Sequence, residues 1–391
     1  MIKAFQFTGI PKIIFGSGSV KKLPEIISAY GKKMMLVTGR SSFMQTRQAA
    51  ELLDILSQKS IIHFHVAIEG EPTPEMIDKA VSEFRNEKPD LVVAIGGGSV
   101  MDAGKAVAAM LTVKDGTVTY LEEIGTREHP GSKIPFIAVP TTSGTGSEAT
   151  KNAVISRTGK NGFKRSLRHE NFVPEVALVD PELTLTCPAD VTAASGMDCF
   201  SQLTEAYLST KASEYTDALA LKGIRAVKDS LLPAFTDGGN IEARMGMSFA
   251  ALTSGICLAN AGLGVVHGFA SSVGGLYDIP HGLICGTLMA SANEITVREL
   301  ERSWENPEAY KKYAKLGKIF ADDRIRSDKY YIESFIAYLH YLTAKLGLPG
   351  LASAGVETAA IDEICSNTGS KNNPVRLGKD SLIQIITRRM V

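Results

Sequence analysis

The sequence lacks the features of a nucleic-acid-binding, secreted or membrane-spanning protein. Its 42 basic and 42 acidic residues cancel, so it has none of the basic excess that attracts a phosphate backbone. No apolar run reaches the roughly 18–20 residues that cross a bilayer, and the N-terminal segment has no signal-peptide core. We therefore expect a cytoplasmic protein that binds neither nucleic acid nor membrane.

Cysteine is also scarce. The chain has five cysteines, an odd number, widely spaced and with no CxxC pair: Cys187, Cys199, Cys257, Cys285 and Cys365. This pattern disfavours both a disulfide framework and a thiolate zinc site. We interpret the five as small apolar packing residues in a reducing compartment.

The 391 residues suffice for two domains, since domains usually have about 100–200 residues. The first half alternates apolar strand-like runs with helical stretches, as at 34–39, 90–99 and 134–142, which is typical of a covered parallel sheet. The second half has helical spacing and few strand signals. The sequence therefore predicts an α/β domain at 1–185 and a helical domain at 186–391.

The apolar strand 90–99 runs into three successive glycines, and a helix follows them. Gly97, Gly98 and Ser99 would form the helix N-terminus, where outward-facing N–H groups bind phosphate. Asp102, in the first turn, would meet a ribose hydroxyl or cap an amide. The alternative is a tight turn without a ligand, and the run does not match the G-x-G-x-x-G fingerprint.

A second polar loop, 141–148, follows the strand 134–142. Its hydroxyls and glycines lie at the carboxyl end of a parallel strand, where an open α/β sheet binds its ligand. Two such loops would hold one dinucleotide. The alternative for this loop alone is a solvated linker.

Four residues of the second half have the types and spacing of a metal site. Asp198 and Gln202 lie four apart on one predicted helix face. His267 and His281 lie in a glycine-rich, mostly apolar segment. One carboxylate and two imidazoles suit Zn²⁺ or Fe²⁺ and leave a position open for substrate. The alternative is a set of hydrogen-bonded structural residues.

Several motifs together resemble one enzyme family. They include FGSGSVKKL (15–23), GGGSVMDAGKAVA (96–108), PTTSGTGSEAT (140–150), VVHGFA (265–270) and YDIPHG (277–282). In type and order they resemble the iron-containing (group III) alcohol dehydrogenases, from one end of the chain to the other.

The resemblance implies a Rossmann-like NAD(P)-binding domain and an all-α metal-binding domain, a dehydroquinate synthase-like fold. It implies hydride transfer between nicotinamide and a small alcohol or aldehyde, and we expect a homodimer or higher homo-oligomer. Alternatives are a polyol/lactaldehyde-type or maleylacetate-type reductase, or a nucleotide-binding homologue that has lost catalysis. The cofactor-binding residues implied by the resemblance, beyond the glycine run, are Thr141, Thr142, Thr145, Asn152 and Lys164.

The family's metal ligands, an Asp and three His, carry over as Asp198, His267 and His281, which we also assign as catalytic. The family usually has His where this chain has Gln202, which would ligate weakly through its amide oxygen or support another ligand. It often has a second His at the position of Ser271, and without it a proton relay would pass through this serine or a water.

The end of the strand 34–39 bears on the choice of cofactor. NAD-preferring members often have an acid there, which repels a 2′-phosphate. This chain instead has Gly39, Arg40 and Ser41, and the guanidinium and hydroxyl would hold a phosphate. We therefore expect NADP(H) in preference to NAD(H), unless Arg40 is simply a solvated loop residue.

Overall fold

The computed structural model describes residues 4–321 and 325–391, which form two compact units. One consists of Thr8–Arg157 and Lys164–Cys187. The other contains Pro188–Val391 together with the described residues up to Phe7 and the segment Thr158–Phe163. The main division thus falls between Cys187 and Pro188, close to the border predicted between 185 and 186.

The first unit is built on a parallel sheet of six strands in the order β1-β8-β5-β4-β2-β3, and β6 and β7 form a separate two-stranded sheet. Strands β2, β4, β5 and β8 are apolar and almost wholly buried, as expected when helices cover both faces. The strands are β1 Lys12–Phe15, β2 Lys33–Gly39, β3 Ile62–Ile68, β4 Leu91–Gly96, β5 Phe136–Pro140, β6 Asn152–Arg157, β7 Phe163–Arg168 and β8 Val176–Val179.

The strand order creates a switch point in this sheet. Strand β3, which follows β2 in the chain, pairs with one side of β2, and β4 pairs with the other side of β2. The connections after β2 and β4 therefore leave in opposite directions, and ligands of open α/β sheets bind in the crevice at such a point. The loops beginning at Gly39 and Gly97 both leave the sheet there.

Thirteen α-helices are present in the described residues. Four belong to the first unit and nine to the second, which contains no strand of the six-stranded sheet. The helices are α1 Leu23–Tyr30, α2 Arg47–Gln58, α3 Pro74–Phe84, α4 Gly98–Met110, α5 Ala189–Leu208, α6 Glu214–Thr236, α7 Ile241–Ala261, α8 Val265–Leu276, α9 His281–Ser303, α10 Pro307–Phe320, α11 Asp328–Lys345, α12 Ile361–Asn367 and α13 Lys379–Thr387. The predicted fold class is confirmed.

The helical unit has one large apolar core, and α5 lies inside it. Most residues of α5 from Thr192 to Leu208 are buried, including polar ones. Helices α8 and α9, which carry the two histidines, were not predicted from the sequence. No single described helix is long and apolar enough to span a bilayer, and only α7 with α8 meets that test as a pair bent by 96°.

Helix α4 packs unusually close to the sheet. A side chain at Gly104 would place its Cβ 2.7 Å from Ala94 Cβ and 2.9 Å from Phe136 Cε2. The neighbouring Lys105 is fully buried, and desolvation lowers its pKa to about 8. Its ammonium donates to four oxygens at 2.8–3.0 Å, namely Ser147 O, Ser147 Oγ, Thr150 Oγ1 and Asn152 O. One side chain thus fastens the loop after β5 to α4.

Replacing Lys105 with Met should lower the free energy of unfolding by about 3 kcal/mol, because it leaves four acceptors and the Asp102 carboxylate without the buried cation. Urea denaturation followed by circular dichroism measures the change. Lys114→Met, at an exposed position after the same helix, is the control. Equal effects of the two substitutions would show that the buried ammonium does not fasten the loop.

Candidate metal and cofactor sites

The three ligand candidates expected from the sequence meet inside the helical unit. Asp198 lies on α5, His267 on α8, and His281 is the first residue of α9. The Asp198 Oδ1 atom is 3.1 Å from His267 Nε2 and 3.7 Å from His281 Nε2. Asp198 and His267 are buried and His281 is partly exposed, so the cluster has one side open to solvent.

Cys285 is a fourth donor that the sequence analysis did not include. Its Sγ atom lies 3.7 Å from Nε2 of both His267 and His281, and all four donor atoms lie within 4.8 Å of one another. Besides packing in the apolar core, this cysteine therefore contacts two imidazoles, which its interpretation as a packing residue did not include. The missed signal is its position four residues after His281, the spacing that places Asp198 and Gln202 on one helix face.

This donor set fits the metal that the motifs imply. Two imidazoles and a carboxylate are ligands of zinc and of ferrous iron, and a thiol adds a sulfur donor that zinc accepts. The donors come from three helices that the apolar core holds in place. Asp198, His267 and His281 would hold the ion.

A second buried carboxylate, Glu205, orients His267. Its Oε2 accepts from His267 Nδ1 at 2.6 Å, and its Oε1 accepts from the Val266 amide at 2.6 Å. This fixes the Nδ1–H tautomer, so the Nε2 atom faces the other donors. Glu205 lies seven residues after Asp198, two turns along the same face of α5. The sequence analysis missed it.

Gln202 is fixed by two partners. Its Nε2 donates to Asp198 Oδ2 at 3.1 Å, and its Oε1 accepts from Ser254 Oγ at 2.8 Å. The amide therefore presents N–H, which has no lone pair to offer a metal, toward the carboxylate. Of the two roles expected for this residue, the contacts favour support of Asp198 over ligation.

The charges in the cluster depend on one another. Burial would raise the pKa of Asp198, but the neighbouring His281 and the hydrogen bond from His267 lower it below its usual value. Burial would lower the pKa of His267, but the adjacent Cys285 sulfur and Glu205 carboxylate raise it well above the usual value. Desolvation raises the pKa of the Cys285 thiol to about 11. Positive charge on the imidazoles and negative charge on the neighbouring carboxylates thus stabilise each other.

Ser271 lies one turn after His267 on α8. Its Oγ donates to His267 O at 2.9 Å, and Lys371 Nζ donates to the same carbonyl at 3.0 Å and to Ser271 Oγ at 3.4 Å. An ammonium therefore lies beside the serine that occupies the family's second histidine position.

The glycine run of the first unit forms the N-terminus of α4, as the sequence predicts. Gly97 is the N-cap, and no side chain of the described residues caps it. The Val100 and Met101 amides donate to Gly97 O. Gly98 and Ser99 begin the helix and are partly exposed, so their N–H groups can reach a phosphate.

The two polar loops touch. The Thr141 amide donates to Gly96 O at 2.8 Å, and a Cβ on Gly97 would lie 3.4 Å from the Thr142 side chain. A Cβ on Gly98 would lie 2.5 Å from Thr145 Cγ2. The glycines therefore let the second loop approach the helix N-terminus, so that hydroxyls and backbone amides share one surface.

Three further residues assigned to the cofactor serve the fold in this structure. Asp102 accepts from Ser147 Oγ and from the Val154 amide, so of its two expected roles the contacts favour capping an amide. Lys164 is buried and pairs with Glu71 at 3.2 Å. Asn152 supplies its backbone carbonyl to Lys105, and its side chain is partly exposed.

The loop after β2 contains the residues expected to choose between the two nicotinamide cofactors. Gly39 is partly exposed, and Arg40 and Ser41 are exposed. Arg40 Nη1 pairs with Glu69 Oε1, at the end of the neighbouring β3, at 2.8 Å. The sequence analysis did not include Glu69, although the pairing of β2 with β3 places the two strand ends together.

Comparisons with known proteins point to one enzyme family. The iron-containing alcohol dehydrogenase model matches residues 11–181, and the model of the C-terminal part of the Fe-containing alcohol dehydrogenase family matches 192–390. Alcohol dehydrogenase 4 of Saccharomyces cerevisiae is 30% identical over 97% of both chains. The solved alcohol dehydrogenase of Oenococcus oeni is 30% identical and has a TM-score of 0.88, with 99% of this chain and 100% of that one covered.

One relative is much longer than this chain. The bifunctional aldehyde-alcohol dehydrogenase AdhE of Escherichia coli K12 is 34% identical over 90% of this chain, but the chain spans only 41% of its length. The two family models together match nearly all of the described residues, and the expected family is confirmed. The chain belongs to the iron-containing alcohol dehydrogenase family.

Proposed function

We propose that this chain is a metal-dependent NAD(P)-linked alcohol dehydrogenase or aldehyde reductase acting on a small alcohol or aldehyde. The observation that carries the proposal is the convergence of Asp198, His267 and His281 from three helices, with one side open to solvent. A homo-oligomeric state and a cytoplasmic location stay predictions from the sequence.

A metal ion held by these residues would supply Lewis-acid chemistry toward a carbonyl or alcohol oxygen. The protein's own contribution is to keep the donors fixed and in the correct protonation state. Glu205 holds the Nδ1 proton of His267, and Gln202 holds the second oxygen of Asp198. Such supporting partners raise ligand basicity and fix ring orientation.

The first unit would bind the nicotinamide dinucleotide at the switch point of its sheet. The open amides of Gly98 and Ser99 suit the pyrophosphate, and the hydroxyls of Thr141, Thr142 and Thr145 lie beside them. The glycines would let the pyrophosphate approach the backbone closely, and the positive end of the α4 dipole would favour its negative charge.

We further propose that NADP(H) is preferred over NAD(H). The exposed Arg40 at the end of β2 can reorient from Glu69 to a 2′-phosphate, because an exposed ion pair contributes only about 0–1 kcal/mol. A phosphate offers the guanidinium a bidentate partner of higher charge. Glu69 would favour NAD(H) instead, since a carboxylate can accept hydrogen bonds from the free hydroxyls of its ribose.

Metal removal tests the function directly. We expect chelator-treated protein to lose the oxidation of NADPH by a panel of short aldehydes and to regain it with Fe²⁺ or Zn²⁺. Turnover that is indifferent to metal would contradict the metal-dependent mechanism. Cofactor binding without turnover, with or without metal, would favour a homologue that has lost catalysis.

Replacing His267 with Ala should reduce both bound metal and turnover, the latter on the order of 100-fold or more, because a ligand and the contact of Glu205 are lost together. Metal analysis and steady-state kinetics measure the two effects. His340→Ala, at an exposed position on α11 of the same unit, is the control and should change neither. Full activity of the His267 variant would rule out this site.

Replacing Arg40 with Ala should raise KM for NADPH about 10-fold or more and leave KM for NADH nearly unchanged, since only NADPH has the 2′-phosphate. The matched variant Glu69→Ala should lower KM for NADPH by freeing Arg40. If Glu69→Ala instead raises KM for NADH and Arg40→Ala has no effect, the enzyme prefers NAD(H).

A further inference from the structure

We propose that Cys285 is a sulfur ligand of the metal and that this thiolate makes the site selective for zinc over iron. The inference rests on the proposed function, because it concerns the same metal site. It adds a ligand that neither the motifs nor the family resemblance assigns.

The distances between donor atoms suit one tetrahedral ion. Metal–nitrogen and metal–oxygen bonds of about 2.0–2.2 Å and a zinc–sulfur bond of about 2.3 Å imply tetrahedral edges of about 3.4–3.6 Å. The two Cys285 Sγ to imidazole Nε2 distances are both 3.7 Å. The two Asp198 Oδ1 to imidazole distances are 3.1 and 3.7 Å. The sulfur therefore stands where a fourth ligand belongs.

Gln202 does not compete for the fourth position. Its amide N–H points to Asp198 Oδ2, and its carbonyl oxygen accepts from Ser254. Turning the amide over would place its oxygen against the carboxylate and leave two acceptors facing each other. Gln202, at the family's usual histidine position, thus supports Asp198. The further donor in the cluster is the Cys285 sulfur.

The surroundings of Cys285 combine the apolar core with the two imidazoles. It lies one turn after His281 on α9, is fully buried, and faces the two histidines rather than the apolar core alone. When a metal ion binds, it takes the place of the thiol proton, which leaves to solvent. Thiolate is a soft ligand that favours zinc, whereas an all-nitrogen-and-oxygen set suits ferrous iron as well.

A sulfur ligand also limits how a substrate reaches the ion. Catalytic zinc sites keep one position open, and some expand to five ligands. The rate alone is therefore a poor measure of ligation by Cys285. The test needs a direct readout of the ligand atoms.

The experiment compares the wild-type chain with Cys285→Ser and with Cys257→Ser, which removes another buried thiol of the same unit. Each protein is stripped of metal and titrated with Co²⁺, and the optical spectrum and bound metal are recorded. We expect wild type and the Cys257 variant to show an intense near-ultraviolet sulfur-to-cobalt band. The Cys285 variant should lack the band and bind Zn²⁺ at least about 10-fold more weakly, with a smaller loss for Fe²⁺.

The outcomes separate this inference from the proposed function. Bound cobalt without a sulfur band in the wild type overturns ligation by Cys285 and leaves the proposed function standing. A wild type that binds no metal overturns both. If the Cys285 variant does not fold, X-ray absorption of the zinc-loaded wild type decides. A sulfur shell at about 2.3 Å supports the proposal, and only lighter ligands at about 2.0–2.2 Å would overturn it.

Discussion

The helical unit depends on the compensation of two carboxylates buried on one face of α5. Asp198 and Glu205 both contact His267, and Gln202 holds the remaining oxygen of Asp198. Buried carboxylates are costly unless they are paired and hydrogen-bonded. The histidines of α8 and α9 compensate the buried carboxylates of α5. The same arrangement brings the candidate metal donors close together.

In the first unit the main constraint is the close approach of two loops, those that follow β4 and β5. The parallel sheet brings the ends of β4 and β5 to the same edge, and the register pairs Gly96 with Pro140. Glycines at 97 and 98 then remove the side chains that would separate the loops. The buried ammonium of Lys105 holds the loop after β5 against α4. The surface that we propose to bind the pyrophosphate is therefore formed by the packing of the sheet and α4.

Most of this architecture could be predicted from local patterns. Strands β2, β4, β5 and β8 are largely apolar runs, and six of the nine described helices in the second unit have clear helical spacing. Helices α8, α9 and α12 were missed. In α8 the glycines and serines of 265–276 have weak helical propensity, so this segment becomes helical through tertiary packing. The two histidines of the metal site were found, since the chain has only seven histidines.

The residues that escaped prediction share a physical reason. Glu205, Cys285 and Glu69 each contact a partner on another element, and those contacts cannot be read from a local window of sequence. A glutamate on a helix or a buried cysteine is ordinary by itself. The spacings 198-202-205 and 281-285 were visible, but they gain meaning only when α5, α8 and α9 are known to converge.

The close contact at Gly98 has a consequence for engineering. Because a Cβ at Gly98 would lie 2.5 Å from Thr145 Cγ2, the loop proposed to bind the pyrophosphate tolerates little substitution at this position. The ends of β2 and β3 are different, since Arg40 and Glu69 are exposed and hold each other by a weak contact. Under the proposed function, exchange of these two exposed residues would alter the preference for NADP(H) or NAD(H) while the glycine loop stays unchanged.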